Sequence, residues 1–292
     1  MQPREGGITD ESAWLCLTLA GLLLAFGAAD LSAAPQTKYP TAPLVAPAVL
    51  IQAGKFIAAT NTTIPPYQYV DPQGRLQGLR IELGSEIARR LGLQMEWVNI
   101  EFAAHIPGLQ ARRWDASITG MFYTPERARL LYMLLYELQA ISISVPRGNP
   151  QRITSTRDLA GKRVAVEIGG YEERNIRRIN AEQVAAGLPS MDIRVFTTFA
   201  DAYQALRAGQ VDAVVAVDAT AKFYQDRGDF DRAVSGIAGS PATLAFRSKE
   251  LALTVLRIMN QMRRDGFYQQ LFDRYGVTKW PAPLFELRGP DL

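Results

Sequence analysis

Histidine and cysteine are almost missing from this chain, whose 292 residues include one of each, His105 and Cys16. One cysteine cannot form an intramolecular disulfide, and one imidazole with one thiol cannot build a zinc site from the usual nitrogen and sulfur ligands. The carboxylates show no clustered metal-ligand spacing, and a lone Gly-Gly pair is no phosphate loop. The sequence therefore predicts a protein without a metal or other cofactor, held together by its hydrophobic core.

A large excess of charge of one sign is also absent. The formal net charge is +3, and acidic residues lie close to most of the arginine pairs, as in Arg89-Arg90 and Arg263-Arg264. Such mixed runs are typical of solvated helix faces, so the sequence does not predict nucleic acid binding. The hydrophobic content of 48% indicates an ordinary globular protein of one or two domains.

Long apolar runs are confined to one segment near the N-terminus. Residues 13–29 follow a polar start that contains Arg4, and small residues suited to signal peptidase follow at positions 27–34. This is the pattern of a secretory signal, so we interpret residues 1–33 as a signal peptide that directs the protein to the periplasm. The same run, left uncleaved, could serve as a membrane anchor. Cys16 lies within it, so the mature protein would have no thiol.

Strands and helices alternate along the rest of the chain. Residues 34–53 are rich in proline and alanine and are interpreted as a linker. Predicted strands such as "KFIAAT" and predicted helices such as "RIELGSEIARRLG" then follow in turn, and a similar order recurs after Arg163. This order predicts two α/β lobes with a cleft between them. The loops "NTTIPPY", "TGMFYTPER" and "EIGGYEE" follow strand ends, where open α/β sheets bind ligands.

Five motifs, in order, resemble those of one family. They are "IPPYQYVDPQGRLQGLRIEL", "HIPGLQARRWDASITGMFYTPER", "LAGKRVAVEIGG", "YQALRAGQVDAVVAVD" and "MRRDGFYQQLFDRYG". They resemble the extracytoplasmic solute-binding proteins of ABC transporters for polar amino acids, which have the type II periplasmic-binding-protein fold. The resemblance implies two doubly wound lobes joined by two hinge strands near "AISISVP" and "PATLAF", with the ligand in the interlobe cleft. The implied divisions are lobe 1 at residues 54–140 plus 241–280, lobe 2 at 141–240, and a C-terminal tail at 281–292.

The resemblance also implies a binding site. Arg127, after the "TPE" turn, would hold the α-carboxylate of the ligand through its planar guanidinium. Asp218 would take the α-ammonium from the other lobe, and its place at the end of an apolar strand fits a paired charge. The other expected ligand-binding residues are Gly120, His105, Phe122, Tyr171, Gly170, Asn61, Ile64 and Tyr67.

Several of these positions depart from the family pattern. Phe122 replaces a small hydroxyl residue, and Gly170-Tyr171 stands where the family usually has Thr-Thr. Arg80 replaces an acid in the "GFDVDL" motif. The pocket is therefore expected to be altered, and the identity of the solute stays open. His105 could face the ligand in the cleft, or it could be an ordinary core-edge residue.

Three functions compete. The first is a monomeric transport receptor that captures an amino-acid-like solute, closes around it and presents it to the membrane permease, without catalysis. The second is an enzyme similar to the periplasmic cyclohexadienyl dehydratases, in which Glu173 would be the general acid for loss of water from prephenate or arogenate. The third is a tethered sensor module, which ranks last because no signalling domain follows.

Overall fold

The computed structural model describes residues 42–292. The predicted signal peptide and the first part of the predicted linker lie outside the described residues, so those predictions stay untested. Among residues 42–292, no helix combines the length and the apolar character needed to cross a membrane.

The regular elements form where the hydrophobic pattern predicts them. The first helix shows why: its apolar side chains recur on one face, and Gly92 ends it in the left-handed conformation that glycine adopts most easily. The strands are β1 Lys55–Thr60, β2 Thr63–Ile64, β3 Gln68–Val70, β4 Leu76–Gln77, β5 Gln94–Asn99, β6 Ala116–Phe122, β7 Tyr132–Val145, β8 Arg163–Glu167, β9 Asp192–Phe196, β10 Ala213–Val217, β11 Asp231–Phe246 and β12 Glu286–Arg288. The α-helices are α1 Leu79–Leu91, α2 His105–Gln110, α3 Pro125–Ala128, α4 Tyr171–Ala185, α5 Phe199–Arg207, α6 Asp218–Asp226, α7 Lys249–Arg264 and α8 Phe267–Tyr275.

A mixed sheet runs through the described part of the chain. Its strand order is β5-β1-β6-β11-β7-β10-β8-β9, with β12 paired to β7, and β2-β3-β4 form a small antiparallel sheet beside it. Parallel pairs occupy both ends of the order, β5-β1-β6 and β10-β8-β9. Strands linked by helices produce parallel pairs of this kind, so the predicted α/β fold class is confirmed.

Two long antiparallel strands connect the two parallel ends of the sheet. β7 contains the predicted hinge stretch "AISISVP" except its proline, β11 contains "PATLAF", and both strands begin well before these stretches. The register between the two strands shifts repeatedly between Arg232 and Ser240. The lobe boundaries at residues 140 and 240 stay predictions.

The predicted linker and tail are more ordered than the sequence indicates. Val45 and Leu50 lie in the core although they belong to the proline- and alanine-rich segment. The backbone amide of Leu44 donates to the carbonyl of Leu91 at 3.0 Å, which holds this segment against α1. Phe285, in the predicted tail, is 4% exposed and precedes β12. Apolar side chains inside low-complexity or terminal segments can thus join the core, which composition alone does not reveal.

Candidate functional site

The loops that follow β1, β6 and β8 meet at one side of the sheet. Asn61, after β1, donates from Nδ2 to Oε1 of Glu167, the last residue of β8, at 2.8 Å. Arg127, after β6, donates from Nη2 to the carbonyl of Gly169 at 3.1 Å. Both bonds join segments that the sequence assigns to different lobes. The predicted cleft is therefore the place where these three loops meet.

Arg127 is held at this meeting point by local structure. Thr124 caps the single turn of α3 because its hydroxyl accepts from the Arg127 amide at 3.2 Å, and Pro125 suits the first helical position. The guanidinium donates from Nη1 to the carbonyl of Phe122 at 2.9 Å. Burial lowers the pKa of Arg127 from its ordinary value, but the group remains a cation at neutral pH. A carboxylate could replace the two carbonyl acceptors, since it offers the bidentate partner that a guanidinium prefers.

An aromatic stack lies beside this arginine. The rings of Phe122 and Tyr171 are 4.4 Å apart between centroids and 19° from parallel, so each ring covers the other. Arg127, Gly169, Gly170 and Tyr171 are among the residues that line a cavity of about 200 Å³ at the edge of the stack. The two aromatic departures from the family pattern therefore pack on each other.

Two buried acids lie in the same region, and the sequence reasoning did not select them. Glu167 is 1% exposed and Glu172, in the first turn of α4, is 3% exposed. Burial raises the pKa of Glu172 to about 7. Burial, with the nearby Glu172 charge, raises the pKa of Glu167 well above its ordinary value. The sequence contained a signal for Glu167, because it ends an apolar strand just as Asp218 follows one.

Asp218 and Arg127 share no hydrogen bond among the described residues and line different cavities, so their joint role in binding stays a prediction. It is the first residue of α6, and Ser142 Oγ and Arg232 Nη1 donate to its carboxylate, the latter at 3.0 Å. It lines a separate cavity of about 310 Å³ together with Tyr67 and Lys222. The acid at the strand end is paired, as its chemistry requires, but its partners come from the long strands β7 and β11.

His105 is buried, which corrects its expected role in the cleft. The structure places its ring beneath the cleft at 0% exposure, with Nδ1 2.8 Å from Ser117 Oγ. The rings of Phe102 and Trp114 lie 5.9 and 6.3 Å away. Burial lowers the pKa of His105 to about 4, so the imidazole is neutral at physiological pH. Because the ring contacts Ser117 of β6, it packs between α2 and β6, and the structure fits an ordinary structural residue that is fully buried.

The model of the family named bacterial extracellular solute-binding proteins, family 3, matches residues 56–278. That match covers nearly the whole folded chain. This protein belongs to that family.

The relatives of this solute-binding protein are consistent with that family. It is 26% identical over 235 residues to the probable ABC transporter arginine-binding protein of Chlamydia trachomatis, covering 77% of this chain and 86% of the relative. A solved ancestral arginine-binding protein bound to glutamine is 31% identical with a TM-score of 0.69, covering 76% of this chain and 97% of its own. An ancestral amino acid-binding protein described as a precursor of cyclohexadienyl dehydratase is 27% identical with a TM-score of 0.67, and the match covers 76% of this chain and 95% of that protein. The homologues are thus amino-acid-binding proteins of ABC transporters.

A buried polar network accounts for two further residues that the sequence placed in the solute-binding site. Arg80 is 1% exposed, and its guanidinium lies 3.8 Å from the Tyr67 ring centroid and 3.4 Å from Glu137 Oε2. Gly120 has φ +72°, and a Cβ there would lie 2.0 Å from Arg80 Cζ. Tyr67 donates its hydroxyl hydrogen to Glu137. Gly120 therefore leaves room for the Arg80 guanidinium, and Tyr67 packs against it. Both residues accommodate the arginine that replaces the family's usual acid.

The remaining residues that the sequence predicted to bind solute are Gly170, Asn61 and Ile64, and each has a structural role. Gly170 is the N-cap of α4. Asn61 also accepts hydrogen bonds from the amide and hydroxyl of Thr63, which shapes the loop after β1. Ile64 is 3% exposed and packs in the core. Within residues 42–292, no group of three or more His, Cys, Asp and Glu residues is placed to hold a metal ion.

Proposed function

We propose that this protein is a periplasmic receptor for an α-amino acid, that Arg127 binds the α-carboxylate, and that the solute is delivered to an ABC transporter permease. The observation that carries the proposal is the position of Arg127. Its guanidinium donates to the carbonyls of Phe122, at the end of β6, and of Gly169, in the loop after β8. A carboxylate bound there would take over both bonds from the two carbonyls.

The solute class follows from the relatives and from the site together. The named relatives bind arginine or were solved with glutamine, so L-amino acids with polar side chains are the first candidates. The aromatic pair Phe122 and Tyr171 adds flat apolar surface that could cover the side chain of such a solute. We infer a pocket for an amino acid with a long polar side chain.

A binding experiment tests the carboxylate role. Mature protein is first screened by thermal shift against the twenty L-amino acids, since a ligand that binds only the folded state raises the melting temperature. Affinity for each hit is then measured by calorimetry in wild type, Arg127→Ala and Arg129→Ala. Arg129 is an exposed neighbour on the same turn and serves as the control. We expect at least a 30-fold loss for Arg127→Ala only, and equal affinity in all three proteins would refute the role.

The dehydratase alternative finds little support at Glu173. Its carboxylate accepts from the Gly169 amide at 2.8 Å and from Arg177 at 2.9 Å, so it is an ion-paired acceptor that stabilises the start of α4. A general acid donates a hydrogen bond to its substrate, whereas the Glu173 carboxylate accepts hydrogen bonds from within the chain. The named relatives are binding proteins, and this chain is a binding protein rather than an enzyme.

Export and oligomeric state complete the proposal. We propose that residues 1–33 are removed on export and that the mature protein is a monomer in the periplasm. N-terminal sequencing of protein recovered from the periplasm should start at about residue 34, and light scattering should give the monomer mass. A retained N-terminus beginning at Met1 would instead favour the membrane anchor.

A further inference from the structure

The cavity of about 310 Å³ beside the long strand β7 is distinct from the cavity at Arg127. Its walls come from β7, from the start of α6 and from the segment after α8, which the sequence assigns to both predicted lobes. Gly236 and Gly276 also line it, and a Cβ on either would meet no atom within 4 Å. An engineered cavity of about 150 Å³ is large enough to bind benzene. The cavity beside β7 therefore has room for a small organic molecule.

Gln139 supplies this cavity with a buried polar side chain that has no hydrogen-bond partner among the described residues. It lies on β7, lines the cavity and is 6% exposed. No described residue donates to its Oε1 or accepts from its Nε2 with hydrogen-bond geometry. A carboxamide carries one acceptor oxygen and two N–H donors, and burying them unpaired is unfavourable. Gln139 can therefore both donate to and accept from a molecule in the cavity.

Glu137, two residues earlier on β7, does not satisfy this amide. Burial raises the pKa of Glu137, and Arg80 and the nearby Gln139 amide oppose that rise, so the two side chains are close. The carboxylate of Glu137, however, already accepts from Tyr67 through Oε1 and from Arg80 through Oε2, the latter at 3.4 Å. Its contact with Gln139 does not reach hydrogen-bond geometry. The Gln139 oxygen is thus left without a donor.

The charged residues that line the cavity, Asp218 and Lys222, are already paired. Ser142 and Arg232 donate to the Asp218 carboxylate, and Lys222 Nζ donates to Asp226 at 2.7 Å. The apolar part of the lining comprises Leu138, Ala140, Val217, Ala219 and Val277. With both charges paired, this lining favours a neutral molecule that has one polar group and a short apolar body.

We propose that this cavity is a second binding site, separate from the one at Arg127, for a small neutral primary carboxamide that pairs with Gln139. Such a group offers a carbonyl to Nε2 and an N–H to Oε1 in one plane, so the two amides can form a cyclic pair of hydrogen bonds. The alkyl part of the molecule then lies against the apolar lining. This site goes beyond the proposed function, and it leaves the predicted contact of Asp218 with the α-ammonium group unchanged.

The test uses butyramide as the probe and 2-pentanone as a ketone of the same size that lacks the N–H donors. Both are titrated into nitrogen-15-labelled mature protein and followed by NMR in wild type, Gln139→Met and Gln204→Met. Gln204 is exposed on α5, so it is the control for the same substitution. We expect saturable binding of butyramide to wild type and to Gln204→Met, and at least 10-fold weaker binding to Gln139→Met. 2-Pentanone should bind wild type at least 10-fold more weakly than butyramide does.

The NMR spectra also locate the probe. The side-chain amide signal that is missing from Gln139→Met belongs to Gln139, and it should shift when butyramide binds to wild type. Equal binding of butyramide and 2-pentanone to wild type, or no binding of either, would overturn the proposal. Displacement of butyramide by an excess of L-arginine or L-glutamine would assign the cavity to the solute site and would overturn the second site.

A stability measurement separates ligand contact from a structural role of Gln139. A buried amide without a partner is unfavourable, so Gln139→Met should raise the urea midpoint of the ligand-free protein or leave it unchanged. Butyramide should raise the melting temperature of wild type and of Gln204→Met, but not that of Gln139→Met. A lower urea midpoint for Gln139→Met than for Gln204→Met would show that the amide has a partner within the protein, and it would overturn the proposal.

Discussion

Asn61 and Glu167 stand 106 residues apart in the sequence, and their side chains share a buried hydrogen bond of 2.8 Å. This contact ties the loop after β1 to the end of β8, so it fastens the two sides of the cleft. Replacing Asn61 with Ala leaves the buried Glu167 carboxyl without that donor. We expect a loss of about 1–2 kcal/mol in the free energy of unfolding.

Urea denaturation at pH 7 measures this loss. Gln204→Ala, on the exposed face of α5, is the control and should change stability by less than about 0.5 kcal/mol. Equal small effects for the two variants would show that the Asn61–Glu167 bond does not fasten the cleft.

Glu172 makes the stability of the protein depend on pH. Its folded-state pKa of about 7 lies above the ordinary value of 4.5, so the folded state holds its proton more tightly than the unfolded state does. The stability gained from that protonated group is complete below pH 4.5 and is lost as pH rises to about 7. Glu172→Gln removes this loss and should stabilise the protein at pH 8 by about 1–3 kcal/mol more than at pH 4.5.

Urea midpoints at the two pH values provide the comparison for Glu172→Gln. Glu182→Gln, which removes a solvent-exposed partner of Arg178, is the matched control and should show no such difference. An effect of Glu172→Gln that is the same at pH 4.5 and pH 8 would contradict the raised pKa.

His105 permits a direct spectroscopic measurement, because the chain contains no other histidine. Proton NMR of untagged protein should show imidazole signals that do not shift between pH 8 and pH 5.5, since burial lowers the pKa to about 4. The same signals should hardly move when solute is added. A titration midpoint near 6.5, or a large shift of the signals on binding, would indicate that the ring faces the cleft.

The lowered pKa of His105 also predicts a loss of stability in acid. The unfolded state takes up a proton below pH 6.5, but the folded state does so only near pH 4. The stability contributed by neutral His105 is therefore present above pH 6.5 and is lost as pH falls to about 4. His105→Leu should accordingly show a smaller fall in urea midpoint between pH 7 and pH 4.5 than wild type, and an identical fall would refute this.

Gly120 and Gly236 form a matched pair for testing the buried arginine. Both have φ +72°, but a Cβ on Gly120 would meet Arg80 at 2.0 Å, whereas a Cβ on Gly236 has no neighbour within 4 Å. Gly236→Ala should cost about 1 kcal/mol from backbone strain alone. Gly120→Ala should cost about 2–4 kcal/mol, because it adds a clash with a fully buried side chain. Chemical denaturation of both variants measures the two losses of stability. Similar losses would mean that the Arg80 side chain moves aside without a measurable loss of stability.

Much of the fold was predictable because its signals are local. The strand Lys55–Thr60 and the helix stop at Gly92 are set by residues within one or two turns of chain. The site was predictable only in part, because side-chain partners come from distant elements. Asp218 and Glu167 both lie at ends of apolar strands, and only the structure shows that Asp218 meets Arg232 while Glu167 meets Asn61.

His105 illustrates the same limit at shorter range. A buried hydroxyl and two aromatic rings make its environment, and nothing in "EFAAHIPGLQA" reveals that Ser117 would be brought against it. The burial of residues in the predicted linker could not be predicted from the sequence for a related reason. Composition reports the average of a segment, and single apolar residues such as Val45 and Leu50 decide whether it packs.

The strand near the C-terminus has a practical consequence for anyone who shortens or fuses this chain. β12 pairs with Met133–Leu135 on one side of β7, and β11 occupies the other side of the same residues. Truncation after residue 280 would strip one flank of β7 and leave its amide and carbonyl groups open to pairing with another molecule. Reporter proteins and affinity tags are therefore better attached beyond Leu292 than in place of the last twelve residues.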